Sequence, residues 1–411
     1  MTSSPPRPTL IIAALWLMVF AVSSQLLIVA PILPRIAEQL DADVSSLASL
    51  ITAYSLSVGL SALITGPISD RVGRRRILIT GTATVAIILG LHAFAQSVAS
   101  LTLLRGLAGA AGGILSGSVA SYVGDYFPSE RRGWANGWIM SGFAAGQIAG
   151  IPLGTILAQQ FGFRAPFLAF SLLMVLTFFL ILRFVPQPDV ERSREPLTPG
   201  TMVSGYRALL TRSATFYATA VYMLMFASTA MIYVFYPAWM ETELGASATT
   251  VALMFALGGV ANVFAGPRSG KLSDRIGRKP AILAASLSVA ATMTIAGLWA
   301  RSTWAAVALF AITMGLLAAR SSPFQALLTE LVDGRQRGQL MSLALALGHS
   351  GFGLSSLLAG HLYARYGFTS NALLGAALIL LAAWLIWKLI PETRFSTATA
   401  PPETRAAGGE A

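Results

Sequence analysis

The chain has 411 residues, 55% of them hydrophobic and 11% charged, with a formal net charge of +11 and no cysteine. A soluble domain carries roughly 25% charged residues, so water is not the main solvent here, and the missing cysteines exclude disulfides and Cys-based metal or redox centres. The positive charge does not read as nucleic-acid binding, because the basic residues sit in short loops between apolar runs rather than on one solvated face.

The first ten residues hold three prolines and Arg7. The apolar stretch from Leu10 onward is too long for a signal-peptide core and is expected as a retained span. In all, twelve apolar runs follow one another, each near the ~20 residues that a helix needs to cross a bilayer core. They fall at about 10–33, 47–68, 77–96, 101–126, 134–158, 164–184, 214–240, 248–270, 280–300, 303–328, 339–363 and 370–390. The longest internal polar stretch, Pro186 to Arg212, carries Pro186, Pro188, Pro196 and Pro199. It is expected as the linker (186–212) between an N-terminal six-helix bundle (1–185) and a C-terminal one (213–391). The tail, 392–411, is rich in Pro, Thr, Ala, Gly and Glu and is expected to be disordered.

Lys and Arg are retained in cytoplasmic loops. With the N-terminus inside, all but Arg35, Arg105, Arg164, Arg301, Arg320 and Arg365 of the 28 basic residues fall on inner segments. Both termini are therefore expected in the cytoplasm, and the chain in the cell (inner) membrane as a multi-pass protein.

One stretch is written twice. Gly66-Pro67-Ile68-Ser69-Asp70-Arg71-Val72-Gly73-Arg74-Arg75-Arg76 returns as Gly270-Lys271-Leu272-Ser273-Asp274-Arg275-Ile276-Gly277-Arg278-Lys279-Pro280. Asp70, Arg74 and Asp125 recur as Asp274, Arg278 and Glu330, at offsets of 204, 204 and 205. Two parallel six-helix repeats mark a large class of secondary transporter with its substrate site near the midplane between the halves.

The two turns resemble the loop signature Gly-x-Leu-x-Asp-Arg-x-Gly-Arg-Lys of the major facilitator superfamily. Arg105 to Gly109 is similar to the fourth-helix Arg-x-x-x-Gly pattern, with Ala108 where the family often has Gln. The fifth span, with Gly142, Gly146, Gly150, Pro152 and Gly154, resembles the Gly-Pro helix of the 12-span drug:proton antiporter group. It departs by placing Gln147 after Gly146, where Pro is common. The resemblance implies an all-α membrane protein of twelve transmembrane helices in two pseudo-symmetric bundles working by alternating access. It also implies that Asp70, and by repetition Asp274, holds the inner gate in the outward-facing state.

Opposite charges at a partly screened membrane edge attract, so the duplicated acid and arginine positions are expected to latch the inner ends of neighbouring helices. Arg71, Arg75, Arg76 and Lys279 need no explanation beyond topology. Glycines four residues apart share a helix face and permit close approach of a neighbour, and Pro152 removes a backbone donor.

Ionisable groups inside spans are costly and usually functional. Counted at about 1.5 Å per residue, Arg320 and His349 fall near the midplane. Gln25, Gln147, Ser23 and Ser24 are also near mid-depth, and Arg105 is nearer the outer end. Arg320 is open to a cavity or coupling role, or to a structural one on backbone carbonyls; His349 is open to proton carriage or to plain packing. Tyr222 and Phe226, at i and i+4, are candidates for the cavity wall, whereas Tyr233, Tyr236 and Trp239 are expected in an interfacial belt.

None of the seventeen acids falls in the middle of a span. Such a cavity suits neutral or anionic amphiphiles better than organic cations. The function expected is proton-coupled efflux of small amphiphilic compounds, with the proton gradient as driving force, no cofactor, no metal and no enzymatic activity. The chain is expected to act as a monomer, with a small-molecule substrate, protons and the bilayer as its partners. Export or import of a specific anionic or sugar-like metabolite stays open as an alternative. A membrane enzyme or non-transporting sensor is the remote one, there being no paired midplane carboxylates, no metal cluster and no soluble receiving domain.

Overall fold

A computed structural model of the chain describes residues 8–188, 199–332 and 334–390. Residues 189–198 of the expected linker and the tail 392–411 lie outside the described residues, and so does the side chain of Asp70. Among the described residues every regular element is helical.

The first and seventh spans, expected as single helices, are each broken. Helix α1 (Pro8–Leu27) gives way to α2 (Val29–Leu40), and α10 (Ser213–Tyr233) to α11 (Tyr236–Thr242). The cause is the same in both halves. Pro31 has no N–H for the carbonyl of Leu27, and Pro237 has none for that of Tyr233, so each first helix ends four residues before its proline.

Helices α3 (Ala48–Val72) and α4 (Arg74–Leu91) meet at Gly73, and α12 (Ala248–Ile276) and α13 (Arg278–Trp299) meet at Gly277. These two glycines have φ of 102° and 99°, a region that costs side-chain-bearing residues strain. The sharp turn is thus duplicated along with its charges. Helix α5 (Val98–Tyr126) begins in a capping box of Ser97 and Ser100, and α14 (Thr303–Glu330) at Ser302, whose side chain accepts from the Ala305 N–H; both caps satisfy otherwise orphaned donors.

The fifth span runs as α6 (Ser129–Ala145), a π-helical turn (Gly146–Gly150) and α7 (Ile151–Phe161), followed by α8 (Arg164–Phe184). A helix that was not expected, α9 (Pro199–Leu210), occupies the end of the linker. The last helix, α15 (Gly334–Leu389), is two helices joined at Gly367, where φ is 70° and ψ −175°. They correspond to the eleventh and twelfth expected spans.

Helices α1 and α3 to α8 pack chiefly among themselves, as do α10 and α12 to α15. The halves meet along α3 and α15, along α12 and α7, and through the short α2 and α11. The α3–α15 seam advances in steps of seven. Gly360 lies against Ser45 and Ala48, Gly353 against Thr52, and Gly59 against Ala346; the Thr52 hydroxyl donates to the Gly353 carbonyl at 2.7 Å. One step further, Gln339 lies against Gly205 of α9 instead, and the Tyr206 hydroxyl donates to the Leu63 carbonyl at 2.9 Å. The linker helix therefore ties α3 to α15 at the end carrying the basic turns, hereafter the basic end. Leu172, Phe179, Leu103 and Trp384 are all more than half exposed, an arrangement that only an apolar surrounding such as lipid accommodates over a whole bundle.

Candidate substrate cavity and charged turns

A cavity of about 580 Å³ lies between the halves. Of the expected substrate or coupling residues, Arg105, Gln147, Tyr222, Phe226, Arg320 and His349 all line it. Gln25 stands just behind, fully buried. Ser23 and Ser24 do not reach the wall. They bond the Phe20 carbonyl at 3.0 and 2.7 Å and lie beneath the fifth-span glycines.

Arg105, eight residues into α5, is buried at 1% exposure. Its Nη1 donates to the backbone carbonyl and to Oε1 of Gln25 at 3.1 and 3.0 Å, and Nη2 to the Leu26 carbonyl at 3.4 Å. The guanidinium lies 4.2 Å from the ring centre of Tyr54, a cation–π geometry. Gln25 closes the set by donating to the Tyr54 hydroxyl at 2.8 Å. The arginine is thus attached to the last turn of α1, one and two residues before Leu27, where Pro31 ends the helix.

Arg320 lies mid-way along α14, buried at 2% exposure. Its Nη2 donates to the Met225 carbonyl at 3.2 Å and to the Thr229 hydroxyl at 3.4 Å, both on α10. Nε and Nη1 have no partner. Tyr222 stacks with Phe226 at 4.9 Å and with Phe324 at 5.9 Å, and Phe226 meets the His349 ring at 5.7 Å. No Asp or Glu lines the cavity among the described residues.

At the basic end, Arg74 Nε meets Asp125 Oδ2 at 2.6 Å. In the second half Arg278 meets Asp274 at 2.5 Å and Glu330 at 3.5 Å. In each half the arginine after the turn reaches the acid at the end of the next-but-one span, tying α4 to α5 and α13 to α14. The basic neighbours carry more than topology. Arg75 donates to the carbonyls of Leu182 and Val185 at the end of α8, at 2.8 and 2.7 Å. Lys279, its repeat partner, donates to Ile390 at the end of α15 at 3.0 Å. Both satisfy terminal carbonyls and complement the negative end of a helix dipole.

The glycines of the fifth span pack on α1 of their own half. A Cβ at Gly142 would meet the Trp16 carbonyl at 2.6 Å, and one at Gly154 the Ile28 side chain at 2.5 Å. At Gly146 and Gly150 it would overlap the hydroxyls of Ser23 and Ser24. Pro152 follows at the start of α7.

Three things differ from the sequence reading. Tyr233, Tyr236 and Trp239 are not an interfacial belt but buried, in a cluster with Phe255, Phe310 and Phe368; the Tyr236 hydroxyl donates to the Ala306 carbonyl at 2.7 Å. The break at Pro237 turns α11 inward, which a continuous helix would not do. The cavity also recruits Tyr54, Thr229, Asn262 and Gln325. Asn262 and Gln325 were legible as lone amides within apolar runs; Tyr54 had no local signal, because its partners are 29 and 51 residues away. The linker helix α9 is the third difference, its Tyr206 hydroxyl donating to the Leu63 carbonyl at 2.9 Å.

A family model described as "Major Facilitator Superfamily" matches residues 15–227 and 218–408. The chain is 25% identical over 382 residues to "Multidrug resistance protein MdtG" of Proteus mirabilis (strain HI4320), covering 91% of this chain and 94% of that protein. It is likewise 25% identical over 388 residues to the protein of that name from Salmonella typhi, covering 93% and 95%. The crystal structure of a D-xylose-proton symporter superposes with a TM-score of 0.75 at 19% identity, over 94% of this chain and 98% of that one, a likeness of fold.

Proposed function

The chain belongs to the major facilitator superfamily, and from that premise we propose that it exports small amphiphilic compounds of the multidrug type by alternating access, driven by the proton gradient. One observation carries the reading: a cavity of about 580 Å³, in the size range of small-molecule sites, enclosed between the repeats. Its wall is mostly apolar, with Tyr222, Phe226 and Phe352 beside Arg105, Arg320 and His349. A wall of this kind accepts many apolar bodies and fixes few polar groups. The names of the relatives, which denote multidrug resistance, agree with it.

The protein works as a monomer in the cell (inner) membrane, with the basic end and both termini in the cytoplasm. In this reading the seam from Ser45 to Gly59, at the end opposite the basic turns, is the outer contact between the halves. Asp70 and Asp274 belong to the inner gate of the opposite state. His349 is the coupling residue, being the one cavity-lining group that titrates near neutrality in its unperturbed form; no cofactor takes part.

Proteoliposomes loaded with a pH-sensitive dye test this reading. Substrate flux accompanied by counter-directed proton flux is expected, and loss of that coupling, with binding retained, in His349→Ala. Substrate movement indifferent to the pH gradient in the wild type refutes proton coupling. Asp70→Asn is expected to impair turnover without lowering expression.

A further inference from the structure

Two buried arginines line the cavity, and the protein treats them differently. Arg105 has both Nη groups engaged by Gln25 and Leu26 and its face covered by Tyr54, and only its Nε lacks a hydrogen-bond partner. Arg320 has one Nη engaged, by a carbonyl at 3.2 Å and a hydroxyl at 3.4 Å, and leaves Nε and Nη1 without partners. No carboxylate pairs with Arg320 among the described residues, although it is 2% exposed. A buried cation with unused donors is costly unless something of opposite charge completes it.

We propose that Arg320 is the anchor for an anionic head group, a carboxylate or a similar single negative charge, so that the cavity selects anionic over cationic amphiphiles. The proposal rests on the central cavity being the transport site. Gln325 adds an amide to the same lining, whereas the hydroxyls of Thr229 and Ser321 donate to the carbonyls of Met225 and Leu317, so the unused donors of Arg320 are the anion's main partners. Across the cavity the wall contributed by the first half is apolar at Leu26, Leu27, Ile51 and Phe143, which suits the tail. With no acid in the lining among the described residues, a cation would be held by aromatic faces against two positive charges. Arg105 is the poorer anchor, because a two-pronged contact with an anion would displace an Nη already held by Gln25 or Leu26, whereas Arg320 has Nε and Nη1 both unused.

The test uses the purified full-length protein in lipid nanodiscs at neutral pH. It is titrated with dansyl-aminoundecanoic acid, its primary carboxamide and the analogue ending in trimethylammonium, followed by dansyl fluorescence. The wild type is expected to bind the carboxylate roughly tenfold or more tighter than the carboxamide, the scale of a hydrogen-bonded charge. Arg320→Gln is expected to weaken the carboxylate to the level of the carboxamide while leaving the carboxamide unchanged, and Arg320→Lys to keep part of the preference. A carboxylate preference that survives in Arg320→Gln overturns the assignment. So does a wild type that binds all three equally or favours the ammonium, a measurement independent of how well any variant folds. If none of the three binds the wild type, the cavity reading itself falls, and the anchor with it.

Discussion

Gly59→Val tests how the two halves communicate. A Cβ at Gly59 would stand 2.8 Å from the Ala346 carbonyl oxygen and 3.4 Å from its Cα. Both are backbone atoms, which cannot swing aside, so α3 and α15 must separate. Overpacking of this kind costs about 1–3 kcal/mol. The cost falls only on the conformation in which the two helices touch at this rung, so the opposite state gains by about 5- to 150-fold in relative population. The chain has no cysteine, so a labelled pair is introduced without background. Gly133 and Gly338, near the basic ends of α6 and α15, have nothing within 4 Å of an added Cβ and belong to different halves. Spin labels on cysteines at these positions should show a shorter distance component in Gly59→Val, as the basic end closes while the outer end parts. Gly137→Ala, where an added Cβ also meets nothing within 4 Å, should leave the distribution unchanged. A distribution in Gly59→Val that superimposes on the parent's would refute the seam as the outer contact that alternates.

Asp125→Asn should lower thermal stability by about 1–3 kcal/mol, since it leaves Arg74 without the carboxylate 2.6 Å away. Glu330→Gln, at 3.5 Å from Arg278, should cost less, and calorimetry of the two variants in the same lipid would contradict the ranking if the order reversed. Gly150→Ala forces a methyl onto the Ser24 side chain and should reduce stability and transport. Ser24→Gly in the same chain removes the overlapped atoms and should restore much of both. Absence of rescue would mean that the damage arises elsewhere than at this contact.

The spans were legible because lipid demands long apolar runs, and the duplication because the turns must repeat both Gly73 and its charges. That acids and arginines repeat in register followed from offsets alone; that Arg74 meets Asp125 and Arg278 meets Glu330 needed the packing of α4 on α5 and α13 on α14. The attachment of Arg105 did not, because Gln25, Leu26 and Tyr54 meet it only after three helices have packed. Likewise, that Arg320 keeps two donors unused depends on where α10 ends up, not on any neighbour in the chain. Helix α9 was missed although Met202, Val203, Tyr206, Leu209 and Leu210 recur at helical spacing; four prolines in the same stretch drew attention to its breaks rather than its period. The burial of Tyr236 and Trp239 was misread because their depth was judged on a straight helix, whereas Pro237 bends it.

The same two prolines bear on how the outer end opens. In a medium without water, bending a helix by breaking a backbone hydrogen bond costs several kcal/mol. At Leu27 and Tyr233 that bond was never made. The twelve-residue α2 and seven-residue α11, which pack against each other across the halves, are thus set on joints that each lack one backbone hydrogen bond. At the basic end the ion pairs Arg74–Asp125 and Arg278–Glu330 each join helices of one half, α4 to α5 and α13 to α14, and so brace each bundle internally. A proline in the first helix of each repeat thus gives the outer end a joint in both halves.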